Sequence, residues 1–465
     1  MDTAAQRFAE FSSSLTIDQV PEEVLESEKL HILDTLGCGL AAEALEAAPA
    51  ARRAMTETGV SGPATAIGVA AGLPPAEAAL VNGVTCHALD YDDTHTGAIA
   101  HVSVAVVPAA LAAGEAHGGR GEDLLLAAIA GNEIVIRLGM AVGSAFHARG
   151  FHPTSVCGVF GATAAAARLQ ALHSDAVVNA LGIAGSMSSG LLEYLADGSS
   201  TKQLHPGWAA HAAIIASRLA AHGASGPNSV FEGRFGLYRA FVDVDVDAAE
   251  LTAGLGERWE TPRIAFKPYP ACHYVHASLD ATAQVVDETP VRIEEIEEIV
   301  ALSTEAGVSL VLEPLANKYQ PRTQYEAKFS LPYSIASLLL RGQVGVATYT
   351  DEAIADPQVL ELAAKVRYEV KDYETFPRAL PGGVRIRTRD GRTLERELPY
   401  QRGGPDNPMT AEQVREKFRA NAGLAISGDE VDALEEAIMT LERCGDLRPF
   451  QVLSRTTRAQ SLAVA

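Results

Sequence analysis

The chain has 465 residues, 47% of them hydrophobic and 21% charged, which is enough apolar material for a sizeable core and too much chain for one, so two domains are expected. Lysine and arginine together number 37 against 59 acidic residues, a net charge of -22. The summed field repels phosphate, which argues against nucleic acid or an anionic membrane as partner and obliges any anionic ligand to meet a local basic pocket.

The N-terminus, MDTAAQRFAEF, has neither the basic start nor the apolar run of a signal peptide. The longest apolar stretches, such as Val102 to Ala113, contain Pro108 and are too short to span a bilayer. Five cysteines, Cys38, Cys86, Cys157, Cys272 and Cys444, are odd in number and scattered. They fit neither a zinc ribbon nor a disulfide framework, so a reducing, cytoplasmic location is expected.

From Ala4 to about Val246, alanine and leucine recur at helical spacing between Gly, Pro, Asn and Ser breaks, as in EDLLLAAIAGNEIVIRLGMAVG. This predicts a bundle of packed helices whose alanines let the axes approach closely. After Phe266 the character changes. The run from Arg292 to Leu302 is β-branched enough to predict a strand, and Gly383-Val-Arg-Ile-Arg-Thr and Thr393-Leu-Glu-Arg-Glu-Leu alternate around an Asp-Gly turn, a hairpin signal. Helices are predicted near Tyr333 to Leu340 and Asp356 to Ala364, so about 267–400 forms a smaller α+β unit. Thr410-Ala-Glu-Gln and Ser427-Gly-Asp-Glu open two further helices, the second running towards Arg443, and this tail is expected to pack on the N-terminal helices.

All thirteen histidines lie at or before His276, and Lys202 and Lys267 are the only lysines between Lys29 and Lys318. His152, His205 and Lys267 each precede a proline, and each is read as standing just ahead of a helix, where free N–H groups favour anions. A second cluster runs His87-Ala-Leu-Asp90-Tyr-Asp92-Asp93-Thr94-His95, with His101 following as another helix begins. Its carboxylates lack calcium-loop spacing, no His-x-x-x-His shares a helix there, and Cys272-His273-Tyr-Val-His276 is a partial ligand set, so no metal is expected. Gly185-Ser-Met-Ser-Ser-Gly190 is not a nucleophile elbow, and Gly158-Val-Phe-Gly161 does not follow a strand, so both read as close helix packing.

Four stretches occur in order: Asn82-Gly-Val-Thr-Cys-His-Ala-Leu-Asp-Tyr-Asp-Asp-Thr94, Gly150-Phe-His-Pro-Thr-Ser-Val-Cys-Gly158, Gly198-Ser-Ser-Thr-Lys202 and Phe266-Lys-Pro-Tyr-Pro-Ala-Cys272. With the connecting Phe231-Glu-Gly-Arg-Phe-Gly236, this set resembles the MmgE/PrpD family, which includes 2-methylcitrate dehydratase, cis-aconitate decarboxylase and iminodisuccinate epimerase. The resemblance implies a mainly α protein: a helical bundle domain from 1–266 with 401–465, a smaller α+β lid domain from 267–400, and a homodimer. It further implies a site needing no metal or organic cofactor, lined at Asp90, Thr94, His101, His152, Lys202, Lys267 and Tyr333.

Two departures stand out. The decarboxylase-like pattern has a histidine where this chain has Cys272, with His273 next to it, so both enter as candidate substrate-binding residues. The segment His205-Pro-Gly-Trp-Ala-Ala-His211 also differs from the methylcitrate dehydratase pattern, and the chain reads as a sibling subgroup.

The expected activity is that of a cofactor-independent lyase on a small polycarboxylate, by dehydration or decarboxylation. An epimerase of a dicarboxylate is the alternative, and a non-catalytic scaffold and a metal hydrolase are outsiders. In this reading Lys202 and Lys267 hold carboxylates, His101 and His152 are acid/base groups, Asp90 orients a histidine, and Tyr333 donates a proton or hydrogen bond.

Overall fold

Helix boundaries follow local chemistry. Thr3 and Gln6 cap one another at the start of the helix Ala4–Ser14, Thr410 and Gln413 do the same for Ala411–Ala422, and the Ser427 N–H donates to Glu430 at 3.0 Å ahead of Gly428–Met439. These elements belong to a computed structural model that describes residues 2–456. The chain forms two compact units: of the described residues the first takes 2–88, Asp92–Ile264 and 410–456, and the second takes Leu89–Tyr91 and Ala265–Met409.

The first unit is a helical bundle. Its long helix Glu22–Ala44 is buried on all sides from His31 to Ala44, which explains an apolar run with no clear polar face. The tail packs on it through a buried ion pair, Lys417 to Asp34 at 2.7 Å. Helices Pro75–His87 and Thr201–Ala221 meet glycine to glycine: a Cβ on Gly83 would lie 2.7 Å from the Gly207 Cα. That contact needs no side chain on either partner and brings the C-terminal turn of one helix, with His87, beside the first turns of the other, with Lys202 and His205.

One hairpin interrupts the helices. β1 (Ala64–Ala66) and β2 (Val69–Leu73) pair antiparallel around Gly68, whose φ of +74° and proximity to the Glu43 carboxylate leave no room for a side chain. Helix alone was expected here. The strands are short and alanine-rich, so they lack the β-branched alternation that marks a strand in sequence.

The second unit holds a four-stranded sheet in the order β4-β3-β5-β6. β3 (Ile296–Ser303) pairs parallel with β4 (Val366–Val370) and antiparallel with β5 (Gly382–Thr388), and β6 (Thr393–Leu398) closes the predicted hairpin. Val384 and Ile386 point into the core, while Arg385 and Arg387 pair outward with Glu395 and Glu298. Helices His276–Glu288, Leu331–Arg341 and Pro357–Ala363 complete the unit, the last two where they were expected. Among the described residues, no helix is long and apolar enough to cross a membrane.

Candidate active site

Five elements of the first unit bring five imidazoles and one lysine together. His87 ends the helix Pro75–His87, and Asp92 and Thr94 follow in the loop beyond it. His101 lies two residues before the helix Ser103–His117, His147 belongs to the short helix Ala145–Ala148, and His152 caps the turn Pro153–Val156. Lys202 and His205 come from the first turns of Thr201–Ala221. Ring centroids of His87 and His101 are 4.6 Å apart, those of His101 and His152 6.1 Å, and those of His152 and His205 5.1 Å. His87, His101, His152, His205 and Lys202 are all buried.

Asp92 is the hub. Its Oδ2 lies 2.9 Å from His87 Nδ1 and 2.8 Å from His101 Nδ1. A fully buried carboxyl is pushed towards its neutral form, but the two imidazoles outweigh burial and hold Asp92 well below the usual carboxylate range. An ionised carboxylate only accepts, so both rings carry hydrogen on Nδ1 and keep Nε2 as the basic nitrogen. Burial pushes the His101 imidazole down to about 4 against the pull of Asp92, with His87 and Lys202 adding to the downward push. His101 is therefore neutral at pH 7, with Nδ1–H anchored and Thr94 Oγ1 3.3 Å from the same nitrogen.

The trio His87, Asp92 and His101 offers three atoms within 4.8 Å of one another, close enough to consider a metal ion. Tetrahedral zinc with ligands near 2.1 Å keeps its donors about 3.4 Å apart. The nitrogen–oxygen distances of 2.8 and 2.9 Å here are those of hydrogen bonds made directly between the groups. Both bonds converge on the one carboxylate oxygen, Asp92 Oδ2.

The three loop carboxylates have three separate tasks. Asp93 accepts from the Ser103 N–H and hydroxyl and sits 2.9 Å from His31, fixing the loop to the start of the next helix. Asp90, in the left-handed region at φ 54°, belongs to the second unit, where its carbonyl and carboxylate accept from Lys267 at 2.8 and 3.0 Å. Lys328 donates to the neighbouring Leu89 carbonyl at 2.7 Å.

Several expectations need correction. The carboxylate that contacts His101 is Asp92, whereas Asp90 pairs with Lys267, so the ammonium expected to hold a substrate carboxylate is already matched by a protein one. Tyr333 is fully buried in the core of the second unit and donates its proton to the Thr348 carbonyl at 2.6 Å, so it has no proton to offer. His205 does not precede a helix: Pro206 lies inside Thr201–Ala221, past its first turn, where it forgoes one helical hydrogen bond. Lys267-Pro268 opens no helix either, and the chain stays irregular until His273–Val275.

Cys272 and His273 are buried in the second unit, where the Cys272 N–H donates to the Lys328 carbonyl at 2.9 Å and the His273 ring packs 4.7 Å from that of His276. His101, His152, Lys202 and Thr94 are the expected residues that the first unit gathers, and Asp90, Lys267, Tyr333, Cys272 and His273 lie in the second. His87, Asp92 and His205 were not among the expected site residues. The dense run from His87 to His95 and the His205-Pro206 step marked their neighbourhoods in the sequence without giving them a role. Hollows of about 230 and 390 Å³ elsewhere in the first unit are lined by none of these histidines.

The MmgE/PrpD N-terminal domain matches residues 6–248 and the MmgE/PrpD C-terminal domain residues 269–443. The cis-aconitate decarboxylase of Homo sapiens is 31% identical over 477 residues, covering 99% of this chain and 96% of its own length. That of Aspergillus terreus is 28% identical over 95% of this chain and 93% of its own. A 2-methylcitrate dehydratase-like protein of Aspergillus oryzae is 27% identical over 39% of this chain and 38% of its own. With both domains matched in order along a chain of this architecture, the protein belongs to the MmgE/PrpD family.

Proposed function

We propose that this protein is a lyase acting on a small polycarboxylate, removing water or carbon dioxide by acid/base chemistry at a carbon beside a carboxylate. The observation that carries the reading is the Asp92-anchored, neutral His101 with the buried Lys202 near enough to act on its charge, an ammonium inside a chain of net charge -22. Lys202 attracts a substrate carboxylate and opposes the negative charge that develops on the neighbouring carbon and its enolate-like oxygen. His101, through Nε2, exchanges the proton at that carbon, and Asp92 stabilises the imidazolium that forms. The bound substrate's own negative charge offsets the push of Lys202 and raises the His101 pKa from about 4 towards neutrality, where proton transfer in both directions is easiest.

The full-length similarity to cis-aconitate decarboxylases supports a polycarboxylate as substrate. Cys272, standing where the decarboxylase-like pattern has a histidine, keeps dehydration of a citrate-like hydroxy acid beside decarboxylation within the proposal. The test is proton NMR in D2O of the purified protein with methylcitrate, citrate, cis-aconitate and iminodisuccinate. New vinylic signals, from loss of water or of carbon dioxide, are expected. Exchange of an α-proton with neither loss would replace the lyase by an epimerase, and silence with every compound would overturn the proposal.

A further inference from the structure

The pair His152 and His205 has an order that distances and donor counting fix. The His101 backbone N–H donates to Thr154 Oγ1 at 3.0 Å, and the same oxygen lies 3.0 Å from His152 Nε2. Thr154 is fully buried, so its single hydroxyl proton needs an acceptor, and His152 Nε2 is the one in reach. A neutral His152 then carries its hydrogen on Nδ1, which lies 2.9 Å from His205 Nδ1. His205 must accept there, so its own hydrogen sits on Nε2. Every donor in the series His101 N–H, Thr154 hydroxyl, His152 Nδ1–H points the same way, towards His205, an arrangement in which each bond strengthens the next.

From this chain we infer that His205 is a positioning residue: it fixes the tautomer of His152 and, through Thr154, holds the backbone of His101 where its ring meets Asp92. The inference rests on the acid/base reading of His101. It gives His152 a different task from the one its motif suggests, because both of its ring nitrogens are engaged by protein groups. The surroundings keep the pair uncharged, as the order requires. Burial pushes His205 down to about 4 and holds His152 well below the ordinary imidazole range, and Lys202 opposes a positive charge on either ring. The Tyr194 ring packs against both at 5.8 and 6.2 Å, and Ser155 pins the His205 carbonyl at 3.2 Å.

The experiment is a two-bond proton–nitrogen correlation spectrum of the protein carrying 15N-histidine, which reports the tautomer of each ring without any substrate. Wild-type His152 is expected as the Nδ1–H form; finding Nε2–H overturns the proposal before any variant is made. His205→Leu, which removes the acceptor, is expected to shift His152 to the Nε2–H form and to lower kcat about tenfold or more with KM little changed. His205→Gln, whose amide oxygen can accept the same bond, should restore both. A His205→Leu protein with an unchanged His152 spectrum, or a shifted spectrum with wild-type kcat, would overturn the positioning role. The spectrum needs no turnover, so failure of the lyase reading shows itself separately, in the polycarboxylate assay.

Discussion

Asp92→Asn is expected to lower kcat on the best polycarboxylate by roughly 10²- to 10⁴-fold, the range seen when the carboxylate behind a catalytic histidine is neutralised. The substitution changes almost no volume, so the folded protein should survive it. What it removes is the charge that makes both Nδ1 nitrogens of His87 and His101 donors at 2.9 and 2.8 Å. Without that charge an imidazolium forming on His101 has no counter-ion, inside a site where burial already disfavours it. In the rotamer that turns the amide NH2 towards the rings, His101 must also carry its hydrogen on Nε2, which blocks the nitrogen needed for catalysis. Circular dichroism that matches the wild type, with kcat reduced and KM nearly kept, is the expected pattern. Near-wild-type turnover would remove Asp92 from the mechanism.

Lys267→Met should cost about 3–5 kcal/mol of stability, the usual result of taking one partner from a buried ion pair. Asp90 is 4% exposed and Lys267 2%, so the carboxylate left behind has little water to turn to. The lysine also donates to the Asp90 carbonyl, and with Lys328 on the Leu89 carbonyl it holds a short stretch whose backbone is left-handed at Asp90. Urea unfolding followed by fluorescence measures the loss. The double variant Asp90→Asn, Lys267→Met should recover part of it, because no charge remains to be stranded. A single variant as stable as the wild type would show that Lys267 is not held in this pair and return it to the role of substrate ligand.

Much of the fold is legible in the sequence where one local rule dominates. The alternation around Asp390-Gly391 forms the β5–β6 hairpin, and the Thr410 and Ser427 boxes open the helices they announce. Legibility fails where tertiary contact decides. The strands β1 and β2 are alanine-rich and take their form from pairing with each other, and Pro206 sits within a helix because that helix begins one turn earlier, at Thr201.

The site shows the same division. His101, His152 and Lys202 carry motif signals and do come together. The choice among Asp90, Asp92 and Asp93 has no local signal, since three carboxylates within four positions look alike until the left-handed turn at Asp90 and the helix starting at Ser103 send each to a different partner. The His152–His205 bond joins residues 53 positions apart and depends on the turn Pro153–Val156 meeting the helix Thr201–Ala221, where Ser155 donates to the His205 carbonyl, which only the folded chain displays.

The most direct test of the central claim, acid/base catalysis by His101 anchored on Asp92, is turnover after chelation. The protein would be treated with EDTA, desalted, checked for residual metal, and assayed on the polycarboxylate it converts best. Full activity in the metal-free sample is predicted, because His87 and His101 each hydrogen-bond through Nδ1 to Asp92 Oδ2. Loss of turnover that zinc or manganese restores would contradict it and make the same three side chains a metal centre.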